Sequence, residues 1–334
     1  MNLEERIKVF VKLGICISES FLAKNSDKIN QSISENPWFT KKNIENALFA
    51  LKDMLELDML QSWIKPYSMH EQVNPKRVLI IMAGNIPLVG FHDLLSVIIS
   101  GHKPIVKLSS NDRILMSLLI EVLITISPSL KNDIQFIDKV KNKKFDAVIS
   151  TGTDNSAHYF KYYFRDAKKI IRKNRRSIAI LDGSETSLEL KGLASDVFAY
   201  FGLGCRNVSK IYLPNGYDLN LLFEAFFEYN KIVDHRKYGN NYDYNKAVFL
   251  MGNNRLIENG FILLKEDKSL QSPVAMLYYE FYNDKQLVDH FISKNKESIQ
   301  CVVSKDDISF GMTQNPRLWD YADGIDTIDF LRNI

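Results

Sequence analysis

The sequence predicts an α/β fold built on parallel sheet with crossover helices. Three observations carry that expectation. Short apolar runs, "RVLIIMA" (77–83), "KPIVKLS" (103–109) and "FDAVIST" (145–151), have the texture of strands buried on both faces. Between them, "LVGFHDLLSVIIS" (88–100) and "DRILMSLLIEVLITI" (112–126) repeat apolar residues at three- and four-residue steps, the period of an amphipathic helix. The two textures alternate, as they do in βαβ units.

In chain order, residues 1 to about 70 read as helical, from "IKVFVKLGICISESF" and "NIENALFALKDMLELDML". "NPWFTKKN" separates the two stretches, with Thr40 placed to cap the second. The strand and helix runs above follow, with a further strand near "IQFID" (134–138). Strand, "TGTDNS" and helix over 145–165 form a βα turn whose helix amides and dipole suit an anion. "KIIRKN" and "SIAILDG" (169–183) read as strands. After "FGLGCRN" (201–207) come a strand, "VSKIYLP" (208–214), and two helical stretches, "LNLLFEAFFEYNKIV" and "YDYNKAVFLMG". Strands at "GFILL" (260–264), "PVAMLYYEF" (273–281) and "IQCVVS" (299–304) precede a polar, turn-rich tail over 310–331. The domain change is placed near 200. This gives a helical segment 1–70 packed on an α/β domain 71–200, a second domain 201–309, and a tail 310–334 returning to the first.

Composition bounds the function. A chain of 334 residues suggests two domains at ~150 residues each. Its 43 basic and 40 acidic residues leave a net charge of +3, too even for a nucleic-acid surface. The start, "MNLEERIKVFVKLGICISESFL", carries charges through its apolar positions and reads as an amphipathic helix rather than a signal peptide. No window approaches the ~18 uncharged apolar residues of a membrane span. Cys16, Cys205 and Cys301 form no CxxC pair, which points to a reducing compartment and a cytoplasmic protein. The six histidines make no zinc pattern.

Alone, Cys205 reads as a small buried hydrophobe, although Gly202 and Gly204 around it suit an open turn. Asn85 in "AGNIPL" (83–88) is ordinary turn chemistry. Lys107 ends a strand, where lysines are usually solvated, and "STGTDNSA" (150–157) is a plain βα turn. Together, in this order and context, these segments resemble the aldehyde dehydrogenase superfamily. "GNIPLVGFHDLLSVIISGHK", "FAYFGLGCRNVSKIYLP" and "TQNPRLWDYADGIDT" are closer to its acyl-CoA reductase branch, which includes the fatty-acid reductase of bacterial bioluminescence. The resemblance runs from about 75 to 331.

That resemblance implies an aldehyde-dehydrogenase-like fold: a Rossmann-type NAD(P) domain over 71–200 and an α/β catalytic domain over 201–309. It implies Cys205 as nucleophile and Asn85 as side-chain donor to the oxyanion. It places Lys107, Ser109, Ser110, Thr151, Gly152, Thr153 and Gly183 at the cofactor. Ser110 stands where NAD-preferring members carry a glutamate. Losing that acid removes repulsion against a 2′-phosphate, which favours NADPH and leaves NADH as the second choice. "AILDGSE" (179–185) is matched to the family's "ELGG", with the water-activating glutamate absent, which argues against aldehyde oxidation. Asp182 is the weak alternative base. Ser269 in "SLQSPVA" replaces a glutamate that holds the nicotinamide ribose, and Pro273 is retained.

The implied function is NADPH-dependent reduction of a long-chain acyl-CoA to the aldehyde through an acyl-cysteine on Cys205. The alternatives are another activated acyl donor, acyl phosphate or acyl-protein, or an inactive binding subunit. A homo-oligomer or an acyl-supplying enzyme are the partner expectations. The tail has two readings, a cover over the site through Gln314, Arg317 or Asp320, or a structural tail docked by Leu318, Trp319 and Tyr321.

Overall fold

The computed structural model describes residues 1–68, 74–140, 144–152 and 154–334, with backbone alone for 154–158. It divides into two compact units, Met1–Asn174 with Arg317–Ile334, and Arg175–Pro316.

The first unit is centred on a parallel five-stranded sheet. Its strands are β1 (Arg77–Ile81), β2 (Lys103–Lys107), β3 (Gln135–Phe136), β4 (Ala147–Thr151) and β5 (Lys168–Arg172), in the order β3-β2-β1-β4-β5. Register sets Ile81 opposite Lys107 and Ser150, and Thr151 opposite Arg172. Strand β1 is buried along Val78–Ile81, as its continuous apolar run predicts for a central strand covered on both faces. The crossover helix Phe91–Ile99 packs on β1 and β2, and the helix Arg113–Ile126 packs against the N-terminal helices Leu3–Cys16 and Ser26–Glu35.

The N-terminal helices belong to this unit. Asn2 and Glu5 form a reciprocal capping box at the first, Leu3–Cys16. Thr40 caps Lys41–Met54 through the Asn43 amide at 3.2 Å, as its position predicts. The tail from Arg317 docks here too. Leu318, Ile328 and Leu331 are fully buried, and the Tyr321 hydroxyl accepts from Trp63 Nε1 at 2.7 Å and lies 2.9 Å from the Tyr67 hydroxyl. Arg317 turns to Asp320 at 3.2 Å, and Trp319 is exposed. Of the two readings of the tail, the docking one describes Leu318 and Tyr321.

The second unit has a six-stranded sheet. Its strands are β6 (Arg176–Ile180), β7 (Val208–Pro214), β8 (Ile257–Glu258), β9 (Leu263–Glu266), β10 (Met276–Tyr282) and β11 (Ile299–Val303), in the order β11-β6-β7-β10-β9-β8. All pairs are parallel except β8 with β9. Lys210 sits fully buried on β7, its charge met by Glu280 at 2.6 Å and the Asp267 carbonyl at 2.8 Å. The units change at Asn174/Arg175, earlier than the change of texture near 200. Strand "SIAIL" continues the apolar alternation of the first unit in sequence, yet it pairs with β7 and β11. Among the described residues, no helix is long and apolar enough to cross a membrane, and no three His, Cys, Asp or Glu side chains group to hold a metal.

Candidate active site

In the first unit the strand order reverses at β1, with β2 on one side and β4 on the other. Such a reversal opens a crevice beyond the C-terminal ends of the strands. Asn85 lies in the turn after β1 and is exposed. Lys107 ends β2, with half-buried Ser109 and exposed Ser110 just beyond it. Thr151 ends β4 and Gly152 follows. These six residues therefore share one sheet edge. Thr153 lies outside the described residues.

The loops on this edge are built tightly. A Cβ on Gly84 would fall 2.6 Å from Ser109 Oγ and 3.0 Å from the Asp112 nitrogen, so only glycine allows the Asn85 turn to lie against the Ser109 loop. Buried Asn36, from the helical segment, donates from one Nδ2 to the Gly84 carbonyl at 3.3 Å and to the Asn111 carbonyl at 3.1 Å. Leu88 sits at φ +60°, a conformation that a branched side chain rarely adopts. Its amide donates to Asp112 Oδ2 at 2.6 Å. Burial pushes the Asp112 carboxyl up to about 7, against the lowering effect of that amide. On the β4 side, Thr151 Oγ1 accepts from Arg172 at 3.3 Å. Arg172 also pairs with buried Asp93 at 2.5 Å and reaches Thr327 of the tail at 3.2 Å.

In the second unit, Cys205 is half-buried in a turn just before β7 and is in no disulfide. The approach to it is contorted. Tyr200, Phe201 and Gly202 have φ of 49°, 60° and 74°, and non-glycine residues reach this region at a cost. Asn207, 2% exposed, holds the turn. Its Oδ1 accepts from the Gly204 amide at 2.9 Å, and its Nδ2 donates to the Ala199 carbonyl at 2.8 Å and the Asp196 carbonyl at 3.0 Å. The Cys205 carbonyl accepts from Ser177 Oγ at 2.9 Å, tying the turn to β6. Phe201 stacks on the His235 ring at 4.2 Å between centroids. Arg206, next to Cys205 in sequence, directs Nη1 to the Cys301 sulfur at 3.3 Å. Between this turn and Pro273–Met276 lies a cavity of about 30 Å³, on the scale of a single water.

A family model for acyl-CoA reductase (LuxC) matches residues 14–222, well over half of the chain and inclusive of Asn85, Lys107 and Cys205. The chain belongs to the acyl-CoA reductase (LuxC) family. It is also similar to a long-chain acyl-protein thioester reductase from Aliivibrio fischeri, 24% identical over 274 residues that cover 75% of this chain. The chain spans 56% of the length of that relative. Among solved structures it resembles aldehyde dehydrogenase 21 from Physcomitrella patens at a TM-score of 0.69 and 13% identity, covering 92% of this chain and 74% of the other. An NAD-dependent aldehyde dehydrogenase from Sinorhizobium meliloti gives 0.69 and 12%, with 95% and 73% covered. An NADP-dependent glyceraldehyde-3-phosphate dehydrogenase from Bacillus halodurans, solved with NADP, gives 0.67 and 12%, with 92% and 75% covered. These likenesses show the aldehyde-dehydrogenase-like fold of this LuxC-family chain.

One expected residue lies elsewhere. Gly183 follows the C-terminal end of β6 in the second unit, whereas Cys205 precedes the N-terminal end of the parallel β7 beside Ser177. From Ser177 to Gly183 the chain runs on the order of 20 Å along the strand direction, so Gly183 and Cys205 sit at opposite edges of one sheet. The match of "AILDGSE" to "ELGG" therefore fails on geometry. Gly183 serves its own turn, at φ +87°, where Glu185 accepts from the Asp182 and Gly183 amides at 2.6 and 3.2 Å. Asp182 is also a poor base, because hydrogen bonds from Ser184 hold its carboxyl at about 2.

Asn36, Asp112, Arg172 and Asn207 are the residues that sequence reading passed over. Asn36, Asp112 and Arg172 lie in stretches read only as linker, helix and strand, and Asn207 lies two positions from the cysteine in "FGLGCRN". Replacing it by alanine leaves the Gly204 amide and two carbonyls without their partner, and each such loss costs ~1–3 kcal/mol when buried. Asn207→Ala is expected to lower unfolding stability by about 2–4 kcal/mol and to speed alkylation of Cys205 by iodoacetamide at native pH. Denaturant melts and timed alkylation with peptide mapping check both. Unchanged stability would show that Asn207 does not clasp the turn.

Proposed function

We propose that this chain reduces an activated long-chain acyl group, an acyl-CoA thioester, to the aldehyde, with NADPH as reductant and Cys205 as nucleophile. The observation that carries the reading is the Cys205 turn itself. A half-buried thiol is held on a costly left-handed approach by a dedicated asparagine clasp, within the segment matched to the acyl-CoA reductase family. A plain buried cysteine needs no such device.

The residues on the first unit's sheet edge fit a dinucleotide. Lys107 offers a cation, Ser109 and Ser110 offer hydroxyls at the reversal of strand order, and Gly152 permits close backbone approach at the end of β4. Ser110, exposed and neutral, suits a 2′-phosphate better than an acid would. When bound, the nicotinamide supplies hydride.

The chain's own residues do the rest. Cys205 attacks the thioester carbonyl as thiolate, forming the C–S bond while the carbonyl π pair moves to oxygen. The oxyanion takes hydrogen bonds from the Cys205 amide and the Asn85 side chain. The pair returns, the CoA–sulfur bond breaks, and CoA leaves as a thiolate. Once reduced, the acyl carbon on Cys205 carries an alkoxide, whose electron pair re-forms the C=O bond as the C–S bond breaks, releasing aldehyde and the Cys205 thiolate. No water attack is needed, in keeping with Asp182 being too weak a base for one.

The name of the Aliivibrio fischeri relative favours a second donor class, an acyl-protein thioester handed over by an acyl-carrying partner. A matrix of acyl-CoAs of graded length, an acyl phosphate and an acyl-protein thioester, each with NADPH or NADH, separates the readings by aldehyde detection. Aldehyde from acyl-CoA, with higher kcat/KM for NADPH, is expected. Aldehyde from the acyl-protein alone transfers the function to the second reading. NADPH binding without aldehyde from any donor overturns the enzyme reading.

A further inference from the structure

The Asp112 carboxyl is placed oddly for its position in sequence. It opens the helix Arg113–Ile126, where an aspartate normally caps its own helix amides, yet its side chain makes no capping hydrogen bond. It is 2% exposed and reaches instead to the Leu88 amide, 2.6 Å from Oδ2. Among the described residues its other oxygen, Oδ1, is buried without a partner. Burying a carboxyl this way is costly, and the site gives up a stabilising cap as well. What the bond secures is the one residue of the 83–88 turn in the left-handed region, Leu88 at φ +60°. Three residues before it is Asn85, exposed at the sheet edge. The turn is also pinned from the other side, where Asn36 joins the Gly84 and Asn111 carbonyls and Gly84 packs on Ser109. The polypeptide around Asn85 is therefore fixed at Gly84 and at Leu88, and the second fixing point is Asp112.

We propose that Asp112 is the positioning residue for Asn85: by accepting the Leu88 amide it holds the 83–88 turn in its strained form and so aims the Asn85 side-chain amide. It also couples that turn to the Lys107–Ser110 loop, because Asp112 ends the same loop. The inference rests on the reading of Asn85 as an oxyanion donor. A donor that is rigid before the reaction stabilises developing charge without reorganising, and a displacement of about 1 Å costs on the order of 100-fold in rate.

The test measures the single-turnover rate of Cys205 acylation, read as CoA release, and the KM for acyl-CoA. Asp112→Ala is expected to slow acylation about tenfold or more with KM little changed, and Asp112→Asn, which keeps an acceptor, to recover most of the loss. Combined with Asn85→Ala, Asp112→Ala should add no further loss, because the two act on one interaction. In protein labelled with ¹⁵N-leucine, the Leu88 amide proton should move in Asp112→Ala while the other leucine amides stay, which shows the fold intact. Should the alanine variant not fold, Asp112→Ser reads the same contact with a shorter acceptor and an intermediate loss. A slow Asn85→Ala beside a wild-type rate for Asp112→Ala, or losses that multiply in the double variant, overturns the Asp112 assignment alone. A wild-type rate for Asn85→Ala overturns the oxyanion reading and the Asp112 role with it.

Discussion

Cys205→Ala is expected to abolish transfer of labelled acyl groups from acyl-CoA and to lower aldehyde formation by at least ~10³-fold, because the covalent route has no second nucleophile in the turn. The chain holds three thiols, and their settings make the experiment decisive. Cys16 is exposed at the end of the helix Leu3–Cys16, so it is the thiol that reacts most easily without catalysis. Cys301 is 4% exposed on β11 beside Arg206, and a thioester cannot reach it without local opening. Cys16→Ser should therefore keep both acylation and turnover, whereas Cys205→Ala should lose both. Cys205→Ser should accept acyl groups slowly, because a hydroxyl is a weaker nucleophile near neutral pH. Mass spectrometry of the acylated peptide gives the answer directly. Label that persists in Cys205→Ala and disappears in Cys16→Ser would remove Cys205 from the mechanism.

The sequence was most readable where local pattern and tertiary position agree. "RVLIIMA" announced a strand covered on both faces, and β1 is that strand, central in its sheet. Thr40 announced a cap and makes it. The strand-end positions of Asn85, Lys107 and Thr151 were legible for the same reason, each lying just past or at the end of a strand whose end the apolar run marks, while the roles given to them came from the family resemblance. The clasps were not legible. Asn36 bonds to Gly84 and Asn111, 48 and 75 residues away, and Asp112 bonds to Leu88, 24 residues back. No local periodicity carries such pairs, and Asp112 stands in the sequence only as the first residue of the helical run "DRILMSLLIEVLITI". Gly183 went astray for the converse reason. "LDGSE" has the turn chemistry of a glycine-rich cofactor loop, and local composition does not say at which edge of a sheet a turn emerges. The pairing of β6 with β7 decides that, and it lies in contacts between residues far apart in the chain.

Asn85→Ala is expected to lower the rate of Cys205 acylation by 10²–10³-fold, about 3–4 kcal/mol of barrier, with little change in the affinity for acyl-CoA or NADPH. In the ground state the thioester oxygen is weakly basic and a hydrogen bond to it contributes little. In the tetrahedral state the same oxygen carries a full charge, and a fixed amide donor gains most of its strength there. A loss confined to kcat is the signature of such a contact. The turn that carries Asn85 is pinned at Gly84 by Asn36 and at Leu88 by Asp112, and Asn85 itself is an exposed residue. Asn85→Asp gives the sharper contrast. It keeps size and turn preference but replaces the donor by an acceptor that is negative near neutral pH, so it should be slower than alanine. Protonation of the new carboxyl would restore a donor, so the gap between the two variants should narrow as pH falls toward the ordinary aspartate value of about 4. Equal rates for wild type, Asn85→Ala and Asn85→Asp would leave the oxyanion to the Cys205 amide alone and return Asn85 to a turn residue.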